Sequence, residues 1–328
     1  MMSTGVSVIA TVKNERRSIG RFLDALLEQT RSPDEIILAD GGSTDGTVEE
    51  VEQRRRRSSI AIRLIDAPGS NIAEGRNLAI GHAAGPIIAA SDAGTVPSPD
   101  WLAQLVRPLI DDPSLAVSSG FYLPGGSSWL ERTLSVVITP QLPEIDRDAF
   151  LPSSRSVAFR KQWWERAGGY PEWLDHCEDL VFDRALDRAG ARFAFAPDAV
   201  VDWNARPNLR AFARQYFNYA RGDGHADLYP ARHALRYGAY ATGVALLVQA
   251  RRRPAVLLPL AAGGAAYLSK FWRRVRRMPP AETEAGNVAA LALMPVIVVT
   301  GDVAKMFGYP LGRLERNGRR AGFERSRT

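Results

Sequence analysis

The sequence predicts an α/β fold, a mostly parallel, Rossmann-like sheet flanked by helices, followed by an apolar helical region. Three observations predict it. Runs of β-branched and apolar residues alternate with helix-period runs from residue 5 to about residue 93, which is the grammar of a parallel sheet. Thr11, Asp40, Asp66 and Asp92 fall at the carboxyl ends of the strand-like runs, and in open α/β sheets ligands bind outside those ends. The last third carries three long stretches without charge.

Taken in order, GVSVIATV (5–12) reads as a short buried strand because apolar and β-branched residues run together between polar bounds. The next run puts Ile19, Phe22, Leu23, Leu26 and Leu27 on one helical face, with Ser18 as a candidate cap and Pro33 marking the exit. EIILAD (35–40) is a second strand, and GGSTDGT (41–47) is a glycine-rich turn into a helix containing Val48 and Val51. AIRLIDA (61–67) is a strand, NIAEGRNLAIGHAA (71–84) a helix, and PIIAASDA (86–93) a strand that delivers Asp92 to its end. Beyond residue 115 the pattern is less regular. LAVSSGFYL reads as a strand, 124–152 as an irregular segment with prolines and glycines, and SVAFRKQWWERAGGYPEWL as strand, short helix and turn. A helix from Glu178 to Arg188 then precedes ARFAFAPDAVVDW, one or two final strands.

Charge-free apolar runs cover 237–250, 254–269 and 285–301, that is 14, 16 and 17 residues. Each is short of the ~20 that a spanning helix needs. A spanning hairpin of the first two would put Arg251, Arg252 and Arg253 on the far side of a bilayer, against the positive-inside tendency. Interfacial or re-entrant helices are therefore expected, with buried helices and spanning helices as the alternatives. The chain divides on this reading into 1–230, 231–310 and a basic tail, 311–328.

A chain of 328 residues can bury a large core. Its single cysteine, Cys177, allows no intramolecular disulfide. The opening MMSTGVSVIATVKNE enters a strand pattern and meets charge at Lys13, without the basic start and apolar stretch of a secretory signal, so the N-terminal part is expected in the cytosol. Formal net charge is +6 and the pI about 9.7, which is compatible with nucleic acid, a membrane surface or an anionic substrate. Arginines gather at 54–57, 251–253, 273–277 and 313–327. The last three groups flank apolar stretches, as lipid-headgroup contacts would, whereas Arg54 to Arg57 read as a solvated helix end. No zinc-ligand spacing, helix-turn-helix cue or aromatic RNA-binding motif is present, so nucleic acid is not an expected partner.

Several residue types carry chemistry. Asp40, followed by two glycines, offers an acceptor beside a backbone without side chains in the way. Asp45 is either part of that site or a helix cap. Arg76 has the planar fork that suits a phosphate, and a helix-surface salt bridge is its competing reading. Glu178 and Asp179 are adjacent carboxylates that raise one another's pKa, as a base working near neutral pH requires. An acidic first turn favoured by the helix dipole is the alternative. His225 reads as a solvated loop residue. Trp163, Trp164, Trp173 and Trp203 either stack a sugar or belong to the core.

The run SVIATVKNERRSIGRFLDALLEQT with EIILADGGSTDGT, then NIAEGRNLAIGHAAGPIIAASDAGT, then GGYPEWLDHCEDLVFDRAL, resembles the bacterial family 2 glycosyltransferases of the GT-A fold, over about residues 5–225. The resemblance implies an inverting transfer from a nucleotide-sugar donor. It places Thr11, Lys13 and Glu15 along the base and ribose, gives Asp40 a hydrogen bond from the base, and lets Gly42 and Ser43 approach the nucleotide closely. Arg76 and Asn77 match the family's Arg-Asn pair. Asp92 stands where the family usually has Asp-X-Asp holding a divalent cation at the donor diphosphate, Mg²⁺ or Mn²⁺. Here the order is Asp92, Ala93, Gly94, so the second carboxylate is missing, a departure that some family members share and that puts strict metal dependence in question. Asp179 matches the family's base, with Glu178 beside it, and Gly168, Gly169 and Tyr170 precede them in the family's order. RQYFNYARGDGHADL (214–228) falls where relatives carry a segment over the diphosphate, so Arg214, Gln215 and Arg221 would compensate leaving-group charge. The Gln-X-X-Arg-Trp pattern of processive synthases is missing, and transfer of a single sugar is expected. The acceptor would be lipid-linked or an envelope polysaccharide, at the cytoplasmic face of the cell membrane. The competing readings are a binding subunit without turnover and a sugar nucleotidyltransferase.

Overall fold

The computed structural model describes residues 5–126, 128–147, 149–204, 206–277 and 284–326. Met1 to Thr4 of the opening stretch and Arg327 of the basic tail lie outside the described residues. The chain forms two units, one of Met1–Leu123 with Leu142–Asn204 and one of Pro124–Gln141 with Ala205–Thr328.

The first unit begins with β1 (Val6–Val12), α1 (Ile19–Leu27), β2 (Glu35–Asp40), α2 (Thr47–Arg55), β3 (Ala61–Asp66), α3 (Ile72–Gly81) and β4 (Ile87–Ala90). β3, β2, β1 and β4 lie side by side and parallel, with Val12 opposite Asp40 and Asp40 opposite Asp66. β5 (Thr95–Pro97), α4 (Trp101–Asp111), β6 (Val117–Gly125), β7 (Val157–Arg160), α6 (Lys161–Ala167), α7 (Glu178–Arg188) and β8 (Phe193–Asn204) complete the sheet in the order β3-β2-β1-β4-β7-β6-β8-β5. The parallel expectation describes the first four strands. β7 pairs antiparallel with β4 and with β6, and β5 pairs antiparallel with β8; β5 is a strand that the sequence reading did not contain.

Period-two alternation explains why these strands read as unbroken apolar runs. Val6, Val8 and Val12 of β1 pack with Phe22, Leu23, Leu26 and Trp101 on one face. Ile9 packs with Ile37, Ile88, Tyr170 and Phe182 on the other. The parallel ladder therefore lifts Asp40, Asp66 and the β4 end to one edge while both faces stay buried.

The second unit contains α5 (Trp129–Ile138), α8 (Leu209–Ala226), α9 (Pro230–Ala250), α10 (Leu257–Arg276) and α11 (Glu284–Ser326). Four expectations are corrected here. The segment 124–152 is not irregular throughout: Ser128 and Glu131 form a capping box that starts α5. The apolar runs understate the helices, which continue through their charged flanks to 21, 20 and 43 residues in α9, α10 and α11. By length and composition α10 and α11 are able to cross a membrane. The basic tail is not a separate segment, because α11 runs through it to Ser326. Finally, 214–228 is mostly helix α8, and it groups with the C-terminal helices rather than with a 1–230 domain. The reason is close packing: a Cβ at Gly308 or Gly312 of α11 would run into the backbone carbonyl of Phe217 or Arg221 on α8. Only glycine lets the two backbones approach this closely.

Candidate active site

The loops after β1 and β2 are sewn into one ledge. Asp40, 5% exposed, accepts the Ser43 amide at 3.0 Å and the Ser43 hydroxyl. The Ser43 hydroxyl accepts the Asn14 amide at 2.9 Å, and Asn14 Oδ1 accepts the Thr44 amide at 2.9 Å. Glu15 donates its amide to Thr47 Oγ1 at 2.8 Å and accepts the Ser18 hydroxyl on its carboxylate. Gly42 turns at φ +89°, a conformation that side chains resist. Thr11 is half-buried and Lys13 exposed at the same end. Asp45 holds the turn ahead of α2: it accepts the Thr47 amide at 3.1 Å and the Arg16 amide at 3.2 Å. Hydrogen bonds led by the Thr47 hydroxyl hold its carboxyl below the usual range.

Helix α3 brings the next group. Asn71 and Glu74 close a capping box at its start. Gly75 lies so near β1 that a Cβ there would sit 2.8 Å from Thr11 Cγ2. Close seating of α3 buries Arg76, which is 3% exposed. Asn77 fixes the turn ahead of the Glu-Asp pair: its amide donates to Tyr170 O at 2.8 Å and Glu172 Oε1 at 2.9 Å, and its Oδ1 accepts from Tyr170 N at 2.8 Å and Trp164 Nε1 at 2.9 Å. Trp164 is thereby tied into this turn.

Arg76 is the centre of the constellation. One end of its fork donates to Asp92 Oδ1 at 2.9 Å and the other to Glu178 Oε1 at 2.6 Å. The end of β4 and the start of α7 therefore meet at one guanidinium, which lies 5.3 Å from the centre of the Tyr170 ring. Of the two readings of Arg76, the salt bridge is present, but it is buried rather than on a helix surface. Burial first, and the charge of Asp179 second, raise the Glu178 carboxyl to about 7 in spite of Arg76. Asp179 stays half-buried, and its Oδ1 accepts the Leu180 amide at 2.8 Å.

Asp183, one turn further along α7, is a residue that the sequence reading missed. It is 3% exposed, its Oδ2 has no hydrogen-bond partner, and burial together with Asp179 and Glu178 pushes its carboxyl well above the usual range. Its spacing of four from Asp179, between the buried Phe182 and Leu186, was the available signal.

Two expectations concern α8. Arg214 is exposed there. Arg221 is forked onto Glu315 through Nε and NH2 at 2.6 and 2.8 Å. His225 is not solvated: it is 4% exposed and lies 2.9 Å from the same Glu315.

Among the described residues no group of three His, Cys, Asp or Glu side chains is arranged to hold a metal ion. Gly94, in the place of the second carboxylate of Asp-X-Asp, is exposed. Asp92 keeps 30% of its side chain exposed and offers one hard oxygen donor group. That is enough where substrate phosphates and water complete the shell, as they commonly do for Mg²⁺.

Residues 7–167 match the sequence model of glycosyl transferase family 2. The chain is 26% identical over 208 residues to the O-antigen chain rhamnosyltransferase RfbN of Salmonella typhimurium, covering 60% of this chain and 65% of that protein, so it spans just under two thirds of that relative's length. It is 25% identical over 240 residues to the succinoglycan biosynthesis protein ExoA of Rhizobium meliloti, covering 68% and 70%. Its fold is similar to that of the mannosyltransferase PcManGT from Pyrobaculum calidifontis, solved in complex with GDP-Man and Mn²⁺, with a TM-score of 0.62 and 22% identity over 92% of this chain and 87% of that one. The fold is of the GT-A type.

Proposed function

We propose, for a chain that belongs to glycosyl transferase family 2, the inverting transfer of a single sugar from a nucleotide-sugar donor to a hydroxyl of a lipid-linked or envelope-polysaccharide acceptor. The observation that carries this reading is the single guanidinium of Arg76 that joins Asp92 to Glu178. That link supports reading Asp92 as the donor-side carboxylate and Glu178 with Asp179 as the acceptor-side pair of one site.

Asp179 takes the acceptor hydroxyl proton as the oxygen attacks the anomeric carbon. The bond from that carbon to the donor phosphate breaks, and its electron pair leaves with the nucleoside diphosphate. Glu178, buried and bonded to Arg76, positions Asp179. Thr11, Lys13, Glu15, Asp40, Gly42 and Ser43 hold the base and ribose, and Arg214 is the α8 candidate for the diphosphate. Asp92, with the donor's phosphates, would hold Mg²⁺ or Mn²⁺, whose chemistry when bound is to neutralise the leaving diphosphate. The names of the O-antigen and succinoglycan relatives support an envelope-polysaccharide product.

Membrane association at the cytoplasmic face belongs to the same reading. Leu235, Val244, Leu247 and Val248 of α9 and Leu258 of α10 are exposed, beside the exposed Arg251, Arg252 and Arg253.

The test is a panel of nucleotide sugars offered to the full-length protein with Mg²⁺ or Mn²⁺, reading release of nucleoside diphosphate. Asp179→Asn is expected to lower turnover by about 100-fold or more. Near-normal turnover removes Asp179 from the mechanism, and silence across the panel removes the activity.

A further inference from the structure

Asp92 faces a second guanidinium. Arg155, in the loop before β7, places its Nε 3.8 Å from Asp92 Oδ2, with 20% of its side chain exposed. Its guanidinium lies 4.6 Å from the Trp203 ring centre and 5.4 Å from that of Tyr122. Those two rings meet edge to face at 6.4 Å. Arg155 NH1 donates to Ser153 Oγ at 3.0 Å. Its backbone is also anchored to the β4 end, because the Ser91 hydroxyl donates to Arg155 O at 2.7 Å and lies 2.9 Å from Thr95 Oγ1. The arginine is thus built into the site from three directions: by the residue preceding Asp92, by two aromatic rings on β6 and β8, and by Asp92 itself.

This arrangement stands beside Asp92, whose Asp-X-Asp partner is missing at Gly94. A hard cation sits about 2.0–2.6 Å from a carboxylate oxygen. A cation on Asp92 Oδ2 would share that oxygen's surroundings with the Arg155 charge, and Gly94 supplies no second carboxylate to offset the repulsion. A separation of 3.8 Å is an ion-pair distance beyond hydrogen-bond reach, so turning toward a phosphate forfeits no N–H bond to Asp92. Guanidinium also stacks on aromatic faces while its in-plane N–H groups point outward, and that fork matches phosphate oxygens in pairs.

We propose that Arg155 is a diphosphate-binding residue: a fixed organic cation, clamped by Tyr122 and Trp203, that takes oxygens of the donor's diphosphate and carries part of the charge compensation that a two-carboxylate cation site carries. The inference rests on the nucleotide-sugar reading above. It goes beyond that reading in making nucleotide binding partly independent of a divalent cation.

The experiment is calorimetric titration of the full-length protein with UDP, GDP and dTDP, and with the parent nucleosides, each in EDTA and in Mn²⁺. Wild-type protein is expected to bind at least one diphosphate in EDTA. Arg155→Gln should weaken that binding about 10-fold or more and leave parent-nucleoside binding unchanged, which a general loss of structure would not do. Arg155→Lys, keeping the charge and losing the fork, should fall between the two, and it carries the test if the glutamine variant does not fold. Wild-type binding that vanishes in EDTA and returns in Mn²⁺ overturns the role of Arg155 and leaves the nucleotide-sugar reading standing. So does a folded variant that binds the diphosphate in EDTA as tightly as wild type. If no diphosphate binds under either condition, the nucleotide-sugar reading fails and this inference falls with it.

Discussion

Arg76 and Glu178 form a buried ion pair at 2.6 Å, joining α3 to α7 across 102 residues of sequence. Neither side chain reaches water to any extent, so removing Arg76 leaves the Glu178 carboxyl buried without its cation. Breaking such a pair costs about 3–5 kcal/mol, or roughly 10 °C in the melting midpoint at this size. Arg76→Met is therefore expected to lower the calorimetric midpoint on that scale and to abolish donor turnover. Arg76→Met combined with Glu178→Gln should recover much of the stability and none of the turnover. Turnover restored in the double variant would take Arg76 out of the site.

The carboxyls of α7 make stability depend on pH in a defined direction. Glu178 titrates at about 7 in the fold against an ordinary 4.5, with burial as the main cause. Asp183 is displaced the same way. A carboxyl with a higher pKa in the folded state holds its proton more tightly there, so its contribution is complete below its unfolded pKa and is lost as pH rises through the folded one. The melting midpoint is expected to fall between about pH 4.5 and pH 7 through Glu178, with Asp183 adding to the fall above its ordinary range. Glu178→Gln and Asp183→Asn should each flatten this decline in melts recorded across that window. A slope identical to wild type in either variant removes that residue from the effect.

Gly75 tests how the site is seated. A methyl group there would lie 2.8 Å from Thr11 Cγ2, inside van der Waals contact, and both elements are regular structure with little room to yield. Overpacking of this kind costs about 1–3 kcal/mol. Gly75→Ala is expected to destabilise by that amount in denaturant unfolding and to weaken nucleotide binding, since α3 carries Arg76 and β1 carries Thr11. Adding Thr11→Ser to Gly75→Ala removes the clashing methyl and should restore stability. No recovery in the double variant would mean that the strain lies elsewhere.

What the sequence could show of this site follows from how local each interaction is. Asp40 and Asp92 were legible because a strand followed by a polar residue is a local pattern, and the parallel ladder then carries every strand end to the same edge. Glu178 and Asp179 were legible as an acidic helix start. The clamp on Arg155 was not, because Tyr122, Trp203 and Asp92 reach it from β6, β8 and the end of β4, and no periodicity links those positions. The engagement of Arg221 by Glu315 was hidden for the same reason, the partners being 94 positions apart. α5 was missed although its signal was local: Ser128 and Glu131 are spaced as a capping box before an apolar run, and the glycines and prolines around them masked it.

The C-terminal helices make a prediction that separates lying on a membrane from crossing it. Helix α10 is 20 residues long, and the candidate span that contains it has only 6% of its apolar window buried within the chain. Val244 and Val248 of α9 are 60% and 61% exposed, and the proposed membrane association would cover this surface with lipid. Two forces then act separately. Apolar burial contributes about 25 cal/mol per Å² and is indifferent to salt. The three arginines between α9 and α10 add about 1 kcal/mol each at an anionic surface and are screened by salt. In flotation with vesicles containing phosphatidylglycerol, replacing Arg251, Arg252 and Arg253 by serine should weaken binding by roughly 100-fold at low salt and remove most of its salt dependence. Replacing Val244, Leu247 and Val248 by serine should weaken it at every salt concentration. If the unmodified chain is released from cell membranes by a high-salt wash, the helices lie in the interface. Retention until detergent is added shows that α10 and α11 cross, and full solubility of the unmodified chain without detergent shows that this apolar surface is covered by protein.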